Sequence, residues 1–137
     1  MKIFFDVDYT IISFEGRLRP QVHEVFQKLV DEGHELYIWS GVGLRHEVVR
    51  RYALGPYIKG IYWKPIENYR ARLTELGVDI VPDFIIDDDY GIVRELGGYI
   101  IKAYSYSSPE DKEMWRAYEA IQAHLADNGH HPAPFPA

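Results

Sequence analysis

The sequence predicts an α/β protein: a three-layer, Rossmann-like parallel sheet flanked by helices. Three observations carry that expectation. Short apolar runs alternate with stretches of helical spacing. The runs end in polar residues, as strands do when their carboxyl ends line a ligand crevice. Finally, 137 residues, 47% of them apolar, suit one domain with a full core.

Lys2 to Val7 reads as a buried strand that runs into acid. Val22, Val25, Phe26, Leu29 and Val30 recur at helical spacing, with Gly33 placed as the stop. Glu35 to Trp39 is the next strand, followed by the turn Ser40-Gly41-Val42-Gly43 and a helix through Arg51. Ile58 to Trp63 holds a short strand, and Glu67 to Leu76 looks helical, ended by Gly77. Pro82 to Ile86 is a further apolar run entering Asp87-Asp88-Asp89, then come a short helix over Ile92 to Leu96 and a strand at Tyr99 to Lys102.

Ser108-Pro109-Glu110-Asp111 reads as a helix start, with Ser as cap, Pro in the first helical position and Asp three residues after the cap. The expected C-terminal helix covers about 109–126, with Met114, Trp115, Tyr118, Ile121 and Leu125 on one face. This gives a single domain over 1–126 and a tail over 127–137, where Pro132, Pro134 and Pro136 oppose regular structure. Thr10 to Arg19, with a turn signal at Glu15-Gly16, is expected as a small hairpin or loop projecting beyond the first strand.

Composition removes several chemistries. No cysteine is present, which excludes disulfides, thiolate metal sites and cysteine nucleophiles. The net charge of −6 argues against a broad nucleic-acid or anionic-membrane surface. The first residues lack the apolar core of roughly 7–15 residues of a secretory signal. No stretch approaches the ~18 apolar residues of a membrane span. The expected location is therefore cytoplasmic.

The candidate chemistry sits at the strand ends. Asp6 and Asp8 are two apart, which in extended backbone puts both carboxylates on one side. Like charges that close call for a cation, and Mg²⁺ suits carboxylate oxygen; the alternative is a turn in which the aspartates cap backbone amides. Around Ser40 and Gly41, small residues let a hydroxyl and backbone amides approach a phosphate. The bland alternative is a serine helix cap with glycines making the turn, and no Gly-Lys-Ser/Thr follows to make a P-loop. Lys64 is either a surface charge or, in a cleft, a counter-charge for a nucleophile and a phosphoryl oxygen. Asp87-Asp88-Asp89 is the strongest single signal, because three carboxylates at a buried strand end are costly without a cation.

Taken together, Ile3-Phe4-Phe5-Asp6-Val7-Asp8-Tyr9-Thr10, Leu36-Tyr37-Ile38-Trp39-Ser40-Gly41, Lys64-Pro65 and Phe84-Ile85-Ile86-Asp87-Asp88 resemble the haloacid dehalogenase superfamily in order and rough spacing, from residue 2 to about residue 102. The resemblance implies a Mg²⁺-dependent phosphatase. Asp6 would be the nucleophile that forms an aspartyl-phosphate, and Asp8 the general acid and then base. Ser40, Gly41 and Lys64 would hold the phosphoryl group. Mg²⁺ would be held by Asp6, the Asp8 backbone carbonyl, and Asp87 or Asp88, leaving Asp89 to solvent or to cap the next helix. Only Tyr9 to Pro20 precedes the first helix, and Ser40 to Pro82 is used by core elements, so no cap domain is expected. An open site of that kind suits a phosphorylated macromolecule or metabolite, or a lid from a second copy in a homo-oligomer. Arg17 and Arg19 are candidates to meet a phosphate-bearing substrate, and Tyr62 and Trp63 to stack on a ring or be buried. The histidines have no convincing ligand spacing. A receiver domain fits less well, since its acceptor aspartate lies on the third strand. A non-catalytic phosphate-binding module and a polynucleotide-end phosphatase remain the alternatives.

Overall fold

The computed structural model describes residues 1–127. The Pro-rich stretch expected as a tail, with His130 and His131, lies outside the described residues from 128 onward. Five strands, β1 (Lys2–Asp6), β2 (Glu35–Ser40), β3 (Ile58–Trp63), β4 (Phe84–Asp87) and β5 (Gly98–Ile100), form one sheet in the order β3-β2-β1-β4-β5. Every pairing is parallel. The helices are α1 (Val22–Asp31), α2 (His46–Arg51), α3 (Tyr69–Arg72), α4 (Tyr90–Leu96) and α5 (Glu113–Ala126). The architecture is thus α/β and consistent with a Rossmann-like fold, as the alternating runs predict. Among the described residues, no helix is long and apolar enough to cross a membrane.

Strand alternation explains the layers. Ile3 and Phe5 pack with Val25, Phe26 and Leu29 of α1 and with Met114, Ala117 and Ile121 of α5. Phe4 faces the other way, into Tyr37, Trp39 and Ile85 and the α4 residues Ile92, Val93 and Leu96. Both faces of β1 are covered, so the strand reads as a continuous apolar run rather than an alternating one. Phe4 and Phe5 are fully buried, each worth roughly 1.5–3 kcal/mol of burial.

The chain leaves β1 toward β2 and β3, then crosses back so that β4 pairs with the opposite edge of β1. That reversal is a topological switch point. In open α/β sheets the crevice outside the carboxyl ends at such a point is where ligands bind. Asp6 closes β1 and Asp87 closes β4, so both stand at its mouth.

Several boundaries differ from expectation. The helix expected over Glu67–Leu76 is limited to Tyr69–Arg72. Asn68 is left-handed, delaying the start, and the amide of Leu73 bonds the carbonyl of Arg70 in a tightened turn. Leu73 and Val78 are buried nonetheless. The last strand is Gly98–Ile100 rather than Tyr99–Lys102, because the Lys102 carbonyl accepts from Arg19 instead of a neighbouring strand. The C-terminal helix begins at Glu113, not 109. Asp111, expected in its first turn, is drawn into a fork with Arg19 and receives the Glu113 amide at 3.1 Å. The buried stripe of α5 is Met114, Ala117 and Ile121, while Leu125 is exposed.

The hairpin after β1 is real and short. Ile12 bridges to Asp8 on one side and to Leu18 on the other. Ile11 and Ile12 are buried at its base, whereas Phe14 at the tip is 72% exposed. The tip is anchored: the Phe14 amide donates to the Ser105 carbonyl at 2.8 Å, and Ser107 donates to the Glu15 carboxylate.

Gly98 is the tightest point of the sheet. Its φ of +153° is one that L side chains rarely adopt, and a Cβ there would lie 1.9 Å from the Ile85 carbonyl oxygen. Gly98→Ala is therefore expected to strip β5 from β4 and to destabilise the protein by on the order of 3 kcal/mol, about 10 °C in melting temperature. Differential scanning calorimetry checks this; an unchanged transition would mean that the strand can retreat.

Candidate functional site

Asp6 and Asp87 end adjacent strands, and Lys64 reaches them from beyond β3. The Lys64 amide donates to the Ser40 carbonyl at 2.9 Å, which extends the β2–β3 ladder by one residue and fixes the stem. From there Nζ lies 3.1 Å from Asp6 Oδ1 and 3.0 Å from Asp87 Oδ2. Thr10 Oγ1 donates to the second Asp6 oxygen at 3.2 Å, and the Asp89 amide donates to Asp87 Oδ1 at 2.9 Å. Asp88 joins them: one carboxylate oxygen from each of Asp6, Asp87 and Asp88 falls within 4.8 Å of the others. Asp89 accepts from the Gly91 amide and caps α4, one of the two roles expected for it.

Burial dominates the electrostatics. It pushes the Asp6 carboxyl well above the usual carboxylate range, and the charge of Asp87 pushes further, while Lys64 pulls back. Burial likewise raises Asp87, to about 6, against the opposing pull of Lys64 and the Asp89 amide. Burial works against the Lys64 ammonium too, yet Asp6 and Asp87 outweigh it and hold the amine charged. Three carboxylates meet one ammonium, which leaves two negative charges to be balanced when all are ionised. A divalent cation is the matching charge. Two oxygens bound to one Mg²⁺ lie about 3–4 Å apart, so this cluster needs only small side-chain adjustments to close on it. The donor set, all carboxylate, fits a hard cation.

Other expected residues are distributed around this centre. Ser40 ends β2 beside β1, is buried, and its Oγ accepts from the Val42 amide at 3.2 Å. That acceptance leaves the hydroxyl proton available to a ligand oxygen. Gly41 lets the β2–α2 turn lie against the segment after β3, since a Cβ there would come within 2.8 Å of the Ile66 side chain. Asp8 departs from the expectation of two carboxylates at one point. Its side chain is 40% exposed and paired with Arg45 at 2.6 Å, and the carboxylate cluster contains Asp6, Asp87 and Asp88.

Arg45 is the residue that sequence reasoning missed. It stands just before α2 and divides its guanidinium between Asp8 at 2.6 Å and Glu47 at 2.7 Å, and only the Glu47 pairing is close enough in sequence to be read there. Arg19 is a correction in the other direction. Expected to meet substrate, it is only 1% exposed, its Nε and Nη2 fork onto Asp111 at 2.8 and 3.0 Å, and it donates to the carbonyls of Thr10 and Lys102. Its guanidinium also stacks on Tyr104, 4.9 Å from the ring centroid. It is the clip that holds the hairpin to the chain after β5. Arg17 is exposed. Tyr62 stacks on Phe4 and donates to Asp79, while Trp63 is exposed. A scan against protein-family models finds none that matches this chain, and a search of curated proteins likewise finds no match.

Proposed function

We propose that the protein is a Mg²⁺-dependent phosphomonoester hydrolase of the haloacid dehalogenase type, working through an aspartyl-phosphate at Asp6 in an open site without a cap domain. The observation that carries this reading is the Lys64 ammonium shared between Asp6 and Asp87 at the facing ends of β1 and β4. A structural ion pair would need neither the third carboxylate of Asp88 nor a place at the switch-point crevice. The open site is supported by the chain path: only the short hairpin lies between β1 and α1, and α2, β3 and α3 occupy the stretch between β2 and β4.

Bound by Asp6, the Asp8 backbone carbonyl and one of Asp87 or Asp88, Mg²⁺ would neutralise the cluster and polarise the phosphoryl oxygens. Thr10 holds one oxygen of the Asp6 carboxylate and Lys64 the other, which fixes its orientation, and a remaining oxygen lone pair attacks phosphorus. As that bond forms the ester P–O bond breaks, and Asp8 gives its proton to the leaving oxygen. Asp8 then takes a proton from water, whose oxygen attacks the aspartyl-phosphate, releasing inorganic phosphate and restoring Asp6. Ser40 and the backbone at Gly41 receive the phosphoryl oxygens, and Lys64 spreads the charge of the transition state. The Arg45–Asp8 ion pair favours a second reading, a non-catalytic phosphate-binding module, because it engages the residue needed for proton transfer.

Phosphate release by wild type, Asp6→Asn and Asp8→Asn, measured with Mg²⁺ on aryl and alkyl phosphates, decides between them. Asp6→Asn is expected to lose at least about 10³-fold in kcat. Asp8→Asn is expected to lose about 10²–10⁴-fold on alkyl phosphates and much less on p-nitrophenyl phosphate, whose leaving group needs no proton. A wild type no faster than Asp6→Asn on any substrate would sink the hydrolase reading.

A further inference from the structure

One large cleft lies outside the carboxylate cluster. It measures about 870 Å³ and opens between the hairpin tip, the end of α2 and the segment 104–109. Arg17, Arg51, Tyr52, Tyr104, Ser107 and Ser108 line it. Neither Arg17 nor Arg51 has a carboxylate partner among the described residues. Arg51 lies over the Tyr52 ring at 5.5 Å, and its Nη1 reaches the hairpin turn at Gly16. The Tyr52 hydroxyl donates to the Gly16 carbonyl, so the ring that carries Arg51 is itself tied to the hairpin. The one acid in the lining, Glu15, is already engaged by the Ser107 amide and hydroxyl. A locally positive pocket in a chain of net charge −6 has a restricted use. The helix dipole accounts for a cation at the end of α2, but not for a second guanidinium lining the same cleft.

Three paths connect this cleft to the site. Leu18, at its edge, is two bridge partners from Asp8 through Ile12, about 10 Å at the spacing of neighbouring strands. Arg51 is six residues along α2 from Arg45, which holds Asp8, about 9 Å at helical rise. The Tyr104 amide donates to the carbonyl of Tyr9, the residue after Asp8.

We propose that this cleft binds a second oxyanion of the substrate, so that the preferred substrate is a small phosphomonoester bearing another phosphate or a carboxylate on a chain long enough to reach from Asp6 past the hairpin to Arg17 and Arg51. The inference rests on the phosphohydrolase reading and names its substrate class. The cleft volume is that of a small-molecule site, and the acidic surface opposes a polynucleotide, whose charge continues beyond two groups. Two guanidiniums can clamp one oxyanion bidentately, and the tyrosine rings give the connecting chain an apolar floor.

The test is a series of n-alkyl monophosphates, α,ω-alkanediol bisphosphates and ω-carboxyalkyl phosphates of matched length, assayed with wild type and the Arg17→Gln/Arg51→Gln double variant. Wild type is expected to show a KM at least about tenfold lower for the dianionic compounds at one intermediate length, with the better of the two series identifying the oxyanion. The double variant should lose that preference and keep its kcat/KM on the monophosphates. Equal KM for mono- and dianionic substrates at every length, or a preference that survives in the double variant, overturns the proposal. Should wild type release phosphate from none of them, the hydrolase reading fails. The cleft is then judged by NMR of the arginine Nε–H groups during titration with decanediol bisphosphate: shifts at Arg17 and Arg51 uphold an oxyanion site, and their absence overturns it.

Discussion

Asp6→Asn is expected to raise the melting temperature of the metal-free protein at neutral pH and, in the same molecule, to remove most of the stabilisation that Mg²⁺ confers. Asparagine keeps the size of the side chain and an oxygen for Thr10. What it removes is a buried charge that burial and Asp87 both disfavour. One ammonium now serves two carboxylates; after the change it serves one, and Lys64 with Asp87 becomes a matched pair. The gain should be about 1–3 kcal/mol. Lys64→Met runs the other way, since it leaves two buried carboxylates facing each other, and should cost about 3–5 kcal/mol. The pH dependence follows in sign. Asp6 and Asp87 are raised in the folded protein above the ordinary 3.8, so the fold retains protons that the unfolded chain has lost. Through Asp87, wild-type stability is drawn down as pH rises from about 4 through about 6, and the advantage of Asp6→Asn opens as pH rises above the ordinary carboxyl range and closes in acid. The Mg²⁺ response, which needs ionised carboxylates, should grow in the same direction. Melting curves of both proteins from about pH 4 to pH 8, with and without Mg²⁺, check this. A variant that melts lower than wild type without metal, and still responds to Mg²⁺, would contradict it.

The second large effect is at Arg19. Its guanidinium makes an ion pair with Asp111 and donates to two backbone carbonyls, all at a side chain with no exposure. Arg19→Met keeps much of the volume but strands the Asp111 carboxylate and the carbonyls of Thr10 and Lys102. The expected loss is about 3–5 kcal/mol, measured by urea unfolding. Arg19→Lys should recover little, because an ammonium cannot span the Asp111 fork and both carbonyls at once. The hairpin follows Asp8 directly and is held by this clip, so surviving variants should also lose turnover. Wild-type stability in Arg19→Lys would show that charge alone, without the fork, fastens the hairpin.

Strand ends were the legible part of this molecule, and pairings across the chain were not. The runs into Asp6, Ser40 and Asp87 are visible because a strand buried on both faces is apolar until it leaves the sheet. Lys64 was readable only in combination, since lysines are ordinarily surface charges. Arg19 and Arg45 look alike in sequence, both basic and both beside turns, yet one is a buried clip and the other holds Asp8. What separates them is Asp111 and the fold that brings it across, which no local pattern records. The same pairing explains the helix start: Ser108-Pro109-Glu110-Asp111 has the composition of a cap, but Asp111 is committed to Arg19 and the helix waits until Glu113.

The switch point also governs the order of assembly. Phe4 finds one neighbour in Tyr37, soon after it in the chain, but its other neighbour is Ile85. Throughout synthesis and early folding, one edge of this buried apolar strand therefore stays unpaired, open to other chains as a template for aggregation. Closing it needs the longest loop closure in the sheet, which makes it the slow step among these pairings. Asp6 and Asp87 meet only at that step, so the charged cluster forms with the last seam rather than with the first contacts of the core.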